Sequence, residues 1–448
     1  MRLTPPATDA SAAPPAAGPF DLSAFDRRLD PGSAAPVCVG FSGGSDSLAV
    51  LLAAAAWAAR AGRPLLALHV DHGIQPQSAG WAEAAGRAAQ ALGAGFKLLK
   101  WIGDKPASGL PAAARSARLR LLADAVREAG GRVLLLGHTA DDAAEGELMR
   151  AGGSTLGRLR EWSASPVWPA GRGIFHLRPL LGERRADLRG RLTGLGRSWI
   201  EDPANEDPRY ARVRARRALA GVAVGPFQAG DPDPVLAELA RATEVETGGM
   251  LSIGRDRLRD APEDAARSFV GMALLCAAGT SRPPRRESLD RLTAKLTSAS
   301  PVTATLAGAR VEAIGEGVRF GRDAGEMRRR GLPPAPLSAA EPFVWDGRFE
   351  LETGADGLVV RALSGPGELS KGERERLRAV PAAFRRSLPA IVTAGPGLTC
   401  PILADGPVRA RALARERLLC AAGAVATESQ ATALRMAERR VPSYFERE

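Results

Sequence analysis

A doubly wound parallel α/β sheet, followed by a mainly helical domain and a small α+β domain, is the fold this sequence predicts. Three observations carry it. Short apolar runs at 37–41 (VCVGF), 65–70 (LLALHV), 96–101 (FKLLKW) and 132–137 (RVLLLG) lack polar alternation, as strands buried on both faces do. Alanine-rich helical stretches at 45–60, 78–92 and 111–129 separate them, and strands alternating with helices build parallel sheets. Past residue 220 the alternation stops. There 222–234 (VAVGPFQAGDPDP) reads as a linker, and helices are expected over 235–260, 263–278 and 286–297. The stretch 304–322 reads as a hairpin turning at Gly315-Glu316-Gly317. A second linker, 328–342, precedes short strands and an arginine-rich helix near 406–422. The expected division is a flexible leader over 1–35, a doubly wound domain over 36–221, a mainly helical domain over 235–327 and a small α+β domain over 343–448.

Composition narrows the function. The 448 residues are 45% hydrophobic, enough for two or three cores. Lys and Arg number 61 against 50 Asp and Glu, a net charge of +11 that suits a polyanionic partner such as nucleic acid, although arginine-rich chains are also common in GC-rich genomes. Four scattered cysteines, 38, 276, 400 and 420, form no CxxC pair, which argues against a zinc ribbon, an iron–sulfur cluster or a disulfide framework and suits a reducing cytoplasm. The N-terminal segment lacks the apolar core of a signal peptide, and Leu51–Ala59 is too short to span a bilayer, so a soluble protein is expected.

In a doubly wound sheet ligands bind beyond the carboxyl ends of the strands. After the first strand comes Ser42-Gly43-Gly44-Ser45-Asp46-Ser47. Two glycines let the backbone turn tightly, and the following helix presents free N–H groups and a positive dipole end. The loop lacks the Gly-Lys-Ser/Thr ending of a Walker A motif, and alone it reads equally as a turn or an anion site. After the second strand come His69, Asp71 and His72. After the fourth, GHTADDAAEGELMR places His138, Asp142 and Glu145 along one helix face. Carboxylates aimed at a phosphate site suit Mg²⁺, although acidic residues also favour helix starts in general.

Together these residues resemble a known family. The 42–47 loop is similar to the SGGxDS loop of the PP-loop ATP pyrophosphatases, whose fold is adenine nucleotide alpha hydrolase-like and which cleave ATP between the α- and β-phosphates. Residues 69–93, from HVDHG onward, AAARSARLRLL (112–122, with Arg115 and Arg118) and the His138–Glu145 segment resemble the tRNA(Ile)-lysidine synthetase family. So does 178–216, where Arg178, Pro179, Trp199, Asp202, Pro203, Asn205, Asp207, Arg212 and Arg216 match its pattern. Leu119, Thr139, Ala143, Gly146 and Val213 depart from it; Thr139 replaces a second histidine and Val213 an asparagine. The later stretches TLAGARVEAIGEGVRF and VWDGRFEL resemble the long-form members.

The resemblance implies a ligase that modifies the wobble cytidine of the CAU-anticodon isoleucine tRNA. ATP adenylates the C2 carbonyl, free L-lysine displaces AMP, and lysidine results. ATP and Mg²⁺ are the implied cofactors. The 42–47 loop would hold pyrophosphate, with Asp46, Asp142 and Glu145 on Mg²⁺ and His138 and Arg212 at the reacting groups. His69, Asp71 and His72 would border the adenosine. Arg115, Arg118, Asp202, Asn205, Arg209, Arg212 and Arg216 would contact the tRNA; residues 182–217 carry ten arginines against six acids. Asp71, Asp141 and Glu201 are each open as the base that deprotonates lysine. A PP-loop tRNA thiolase and a non-catalytic tRNA-binding relative are the alternatives. The thiolase would need a reactive cysteine near the loop, where Cys38 stands, and an asparagine synthetase would need an N-terminal cysteine glutaminase.

Overall fold

The computed structural model describes residues 20–154, 157–202, 207, 209, 211–220, 233–298, 300–392 and 397–439. The chain divides into two compact units. The first holds residues 1–162, 174–230 and 427–429; the second holds 163–173, 231–426 and 430–448.

The first unit begins, among described residues, with a short helix α1 (Ser23–Arg28) that buries Phe25 in a stack with Trp57. The expected flexible leader is therefore structured over 20–35. Arg63 adds to this by donating from Nη1 to the Asp30 carbonyl and from Nη2 to the Ala35 carbonyl, at 2.7 Å each. Strands β1 (Val37–Gly40), β2 (Leu65–Asp71), β3 (Gly95–Lys100) and β4 (Val133–Leu136) follow, interleaved with α2 (Ser45–Ala61), α3 (Ser78–Gln90) and α4 (Leu110–Glu128). Next come α5 (Ala140–Ala151), a short strand β5 (Trp162–Ala164) of which only Trp162 belongs to this unit, β6 (Phe175–Leu177), α6 (Arg185–Gly194) and α7 (Ala211–Ala218). The sheet order is β3-β2-β1-β4-β6-β5, and β3, β2, β1, β4 and β6 pair in parallel. β1 and β4 lie at the centre. Their Val, Cys and Leu side chains are buried, as uninterrupted apolar runs require. β1 and β4 are also the strands whose ends carry the 42–47 loop and His138.

The second unit holds two cores. In the first, α8 (Pro234–Arg241), α9 (Arg255–Asp260), α10 (Glu263–Ala278) and α11 (Arg286–Thr297) accompany a five-stranded sheet. Its strands are β7 (Glu244–Glu246), β8 (Met250–Gly254), β9 (Val302–Leu306), β10 (Ala309–Ile314) and β11 (Gly317–Arg322), in the antiparallel order β7-β8-β11-β10-β9. The continuous helix expected over 235–260 is interrupted by the β7–β8 hairpin. Gly248 and Gly249, at φ +97° and +76°, take a backbone that an α-helix cannot contain. The segment expected to be mainly helical thus also carries a sheet, which includes the predicted hairpin at Gly315–Gly317. The second linker begins inside helix α12 (Ala324–Arg330), and Ala335–Pro336 pairs as a short strand. The helix expected over 406–422 is divided between the two cores. Val408–Ala412 is a strand paired with Phe349–Thr353, and a helix runs from Ala414 to Ala421. The linker expected at 222–234 lies almost wholly outside the described residues. No helix among the described residues is long and apolar enough to cross a membrane.

Candidate functional site

Gly43 sits at φ +87°, where side chains are disfavoured, and a Cβ there would lie 2.4 Å from Ile200 Cδ1. The Ile200 N–H also donates to the Gly43 carbonyl at 2.9 Å, so the turn is clamped against the segment leading out of α6. Gly44 is the N-cap of α2 in extended conformation and supplies no side-chain cap. The first N–H groups of the 17-residue helix are left for a ligand, the arrangement that binds anions. Ser47 braces the loop: its hydroxyl donates to the Gly44 carbonyl at 3.0 Å and accepts from the Ser42 N–H at 3.3 Å.

The loop opens onto a cavity of about 450 Å³ at the carboxyl ends of β1, β2 and β4, where a doubly wound sheet holds its ligands. His69, Asp71, His72 and His138 all line it. His69 Nδ1 lies 2.9 Å from the Phe41 carbonyl, and burial holds the imidazole below its ordinary pKa. His72 is lowered by burial and then by Arg118. Burial pushes Asp71 up, but the Gly73 N–H, Ser78, His69 and Lys100 outweigh it and the carboxyl ends below its usual range. His138 is held well below its ordinary value, by burial first and then by Arg178, Arg118, Arg115 and Arg212. It is neutral at pH 7, and its Nδ1 is buried with no hydrogen-bond partner.

Asp142 and Glu145 share one face of α5, one turn apart, and both are buried. Their surroundings differ from the expected metal shell. Arg185 Nε donates to Asp46 Oδ2 at 2.9 Å, and its terminal nitrogens lie 3.2 Å from Asp142 Oδ1 and 3.3 Å from Glu145 Oε1. Arg216 meets Glu145 at 2.8 Å, and Arg212 approaches Asp142 at 4.0 Å and Glu145 at 3.8 Å. Burial opposes the charge on Arg185, but Asp142, Asp46 and Glu145 outweigh it and hold the guanidinium more firmly charged than usual. No three His, Cys, Asp or Glu side chains among the described residues form a group able to hold a metal ion. Asp46, Asp142 and Glu145, expected to share one Mg²⁺, are brought together here around the Arg185 guanidinium.

Sequence reasoning missed Arg185, because it stood among ten arginines read together as an RNA surface. The only local signal was its place at the first turn of α6, just after RPLL. Two members of the expected arginine stripe are likewise redirected. Arg212 and Arg216 face the buried carboxylates, while Arg209 is exposed and pairs with Asp207 at 2.6 Å. Arg118, expected on the RNA surface, lines the cavity. Burial pushes it down to about 10, and its Nε has no hydrogen-bond partner. Arg115 is electrostatically coupled to Arg212 and Asp142. Asp202 lines the cavity, and Asn205 lies outside the described residues.

Two departures from the family pattern have structural explanations. Thr139 is the N-cap of α5 in a reciprocal capping box: its hydroxyl accepts from the Asp142 N–H at 3.4 Å, and Asp142 Oδ2 accepts from the Thr139 N–H at 2.9 Å. Val213 packs into the core from α7. Of the three proposed lysine bases, Asp141 is engaged by Arg184 and the Arg185 N–H, and Glu201 is exposed and bonded to Trp199. Asp71 lines the cavity. Cys38 is fully buried, its thiol pushed up to about 12 by burial.

Residues 22–222 match the PP-loop domain family. The chain is 46% identical to a tRNA(Ile)-lysidine synthase of Caulobacter vibrioides over 91% of its own length and 98% of that protein. It is 42% identical to the tRNA(Ile)-lysidine synthase of Hyphomonas neptunium over 64% of its length and 80% of that protein. For the Brucella anthropi tRNA(Ile)-lysidine synthase the figures are 31%, 82% and 87%.

Proposed function

The chain belongs to the tRNA(Ile)-lysidine synthase family, and from that premise we propose how its residues divide the work. The enzyme is an ATP-dependent ligase that turns the wobble cytidine of the CAU-anticodon isoleucine tRNA into lysidine. Adenylation of the C2 carbonyl expels pyrophosphate, and attack by an amine then expels AMP.

In our reading the Ser42–Ser47 loop and the first N–H groups of α2 grip the departing pyrophosphate, by positioning and electrostatics. Neutral His138 hydrogen-bonds the α-phosphate or the activated base, and Arg118 balances charge on the same group. His69, Asp71 and His72 border the adenosine. Free L-lysine is the amine donor. Its ammonium has a pKa of about 10.4 and must lose a proton before attack. Asp142 and Glu145 are the carboxylates assigned to hold it, since each is buried and Glu145 Oε2 accepts no hydrogen bond. Any Mg²⁺ would accompany the triphosphate beside the Asp46 carboxylate, and no step here depends on it. Contact with the tRNA body is assigned to the later domains, where Arg328, Arg329 and Arg330 are exposed on α12. The cytoplasm, which supplies tRNA, ATP and lysine together, is the assigned compartment.

The observation that carries this reading is the contact between Arg185 and Asp46, Asp142 and Glu145, which joins the phosphate loop to the buried carboxylates in one site. Half-reactions test it. Asp46→Asn should abolish tRNA-dependent ATP–pyrophosphate exchange. Glu145→Gln should keep exchange within about tenfold of wild type while lysine transfer falls about a hundredfold or more. Equal loss of both steps in Glu145→Gln would contradict the assignment.

A further inference from the structure

Within the cluster around Arg185, Asp46, Asp142 and Glu145 face Arg185, Arg212 and Arg216, and Arg115 and Arg118 act on Asp142 from farther away, so the carboxylates are already fully countered. A substrate ammonium entering it would add an uncompensated cation to a largely buried site, which is unfavourable. Yet one acceptor stands ready. Glu145 is 1% exposed, and its Oε2 receives no hydrogen bond, with Arg212 Nε at 3.8 Å as its ion-pair neighbour. A buried carboxylate oxygen without a hydrogen-bond donor is costly to maintain, so a donor reaching it would be stabilising. The compensating anion enters through the same site, because Asp46 belongs to the loop that takes the triphosphate. A guanidinium forks onto phosphate oxygens as readily as onto carboxylates. The base of Arg185 is fixed independently of its side chain, since its backbone N–H donates to Asp141 Oδ2 at 2.8 Å. Its head can change partners while α6 stays in place.

We propose that Arg185 is an exchangeable counter-ion: without nucleotide it neutralises Asp46, Asp142 and Glu145, and when ATP fills the loop its guanidinium turns to the phosphates and frees Asp142 and Glu145 for the ammonium of the amine co-substrate. The inference rests on the lysidine-forming reading above. It makes the order of binding a consequence of charge balance, with the amine following the nucleotide, and it makes Arg185 a positioning residue rather than a catalytic one.

The test is a calorimetric titration of lysine into the full chain with and without α,β-methylene ATP, which cannot be cleaved at the reacting bond. For wild type the analogue should raise lysine affinity about tenfold or more, a coupling of ordinary allosteric size. Arg185→Met should bind lysine without the analogue and gain less than about twofold from it. Arg185→Lys keeps the charge but not the fork and should retain an intermediate coupling; it also serves if the Met variant fails to fold. Equal lysine affinity with and without the analogue in wild type would overturn the proposal, as would full coupling in either variant. Lysidine synthesis is assayed on the same wild-type preparation. Its absence would refute the functional reading, whereas synthesis without coupling would refute this inference alone.

Discussion

Gly137 joins β4 to His138, and its missing side chain sets how closely the strand end approaches the start of α2. A Cβ at this position would lie 2.7 Å from Asp46 C, 2.7 Å from Ser47 N and 2.8 Å from Asp46 O. Ordinary contact begins near 3.4 Å, so Gly137→Ala requires the helix start to retreat by at least about 0.7 Å. The obstacles are backbone atoms of the phosphate loop and cannot rotate aside. Overpacking of this kind costs about 1–3 kcal/mol, and a misplacement near 1 Å in a reacting site costs about a hundredfold in rate. Gly137→Ala should therefore lower stability to urea by about 1–3 kcal/mol and reduce kcat/KM for tRNA-dependent adenylation by roughly 10–100-fold. Gly190→Ala on α6 is the control. A Cβ there meets nothing within 4 Å, and helix propensity predicts a gain of about 0.5–1 kcal/mol with the rate unchanged. Adenylation by Gly137→Ala within about twofold of wild type would refute the claim that this approach sets the loop.

Three further outcomes are expected. Arg63 and Glu428 form a buried pair at 2.7 Å, so Arg63→Met should destabilise the protein by about 3–5 kcal/mol in urea unfolding, while the double variant with Glu428→Leu recovers part of the loss. His138 and His176 are held neutral by burial and by nearby arginines, well below 6.5. The unfolded chain takes up protons below about pH 6.5 that the folded state refuses, so stability should fall as pH drops below that value. The slope approaches about 1.4 kcal/mol per pH unit for each histidine, and a flat urea midpoint between pH 7.5 and 5.5 would contradict it. Cys38→Ala should keep lysidine synthesis within about threefold, because a fully buried thiol pushed up to about 12 is no nucleophile at pH 7; loss of activity with the fold intact would revive the sulfur-transfer alternative.

The central sheet was legible because its strands carry burial in their composition. Val37–Gly40 and Val133–Leu136 are apolar throughout, and only strands covered on both faces read that way. The loop and the His138–Glu145 face were legible because strand ends and helix spacing are local properties. The β7–β8 hairpin was not, since Gly248-Gly249 and Gly254 are brief interruptions of a largely helical composition. Thr139 looked like a lost functional group and is a helix cap, a role visible only with its reciprocal bond to Asp142. Arg185 escaped for a different reason. Its importance lies in carboxylates 40, 43 and 139 positions away in the chain, and no spacing rule connects residues so distant.

The most direct test of the central claim is incubation of the full chain with ATP, labelled L-lysine and a CAU-anticodon isoleucine tRNA transcript, followed by nuclease mapping of the label. Label on the wobble nucleotide, dependent on ATP and lost in Asp46→Asn, is the predicted result. A folded protein that binds the transcript but transfers no lysine would contradict it.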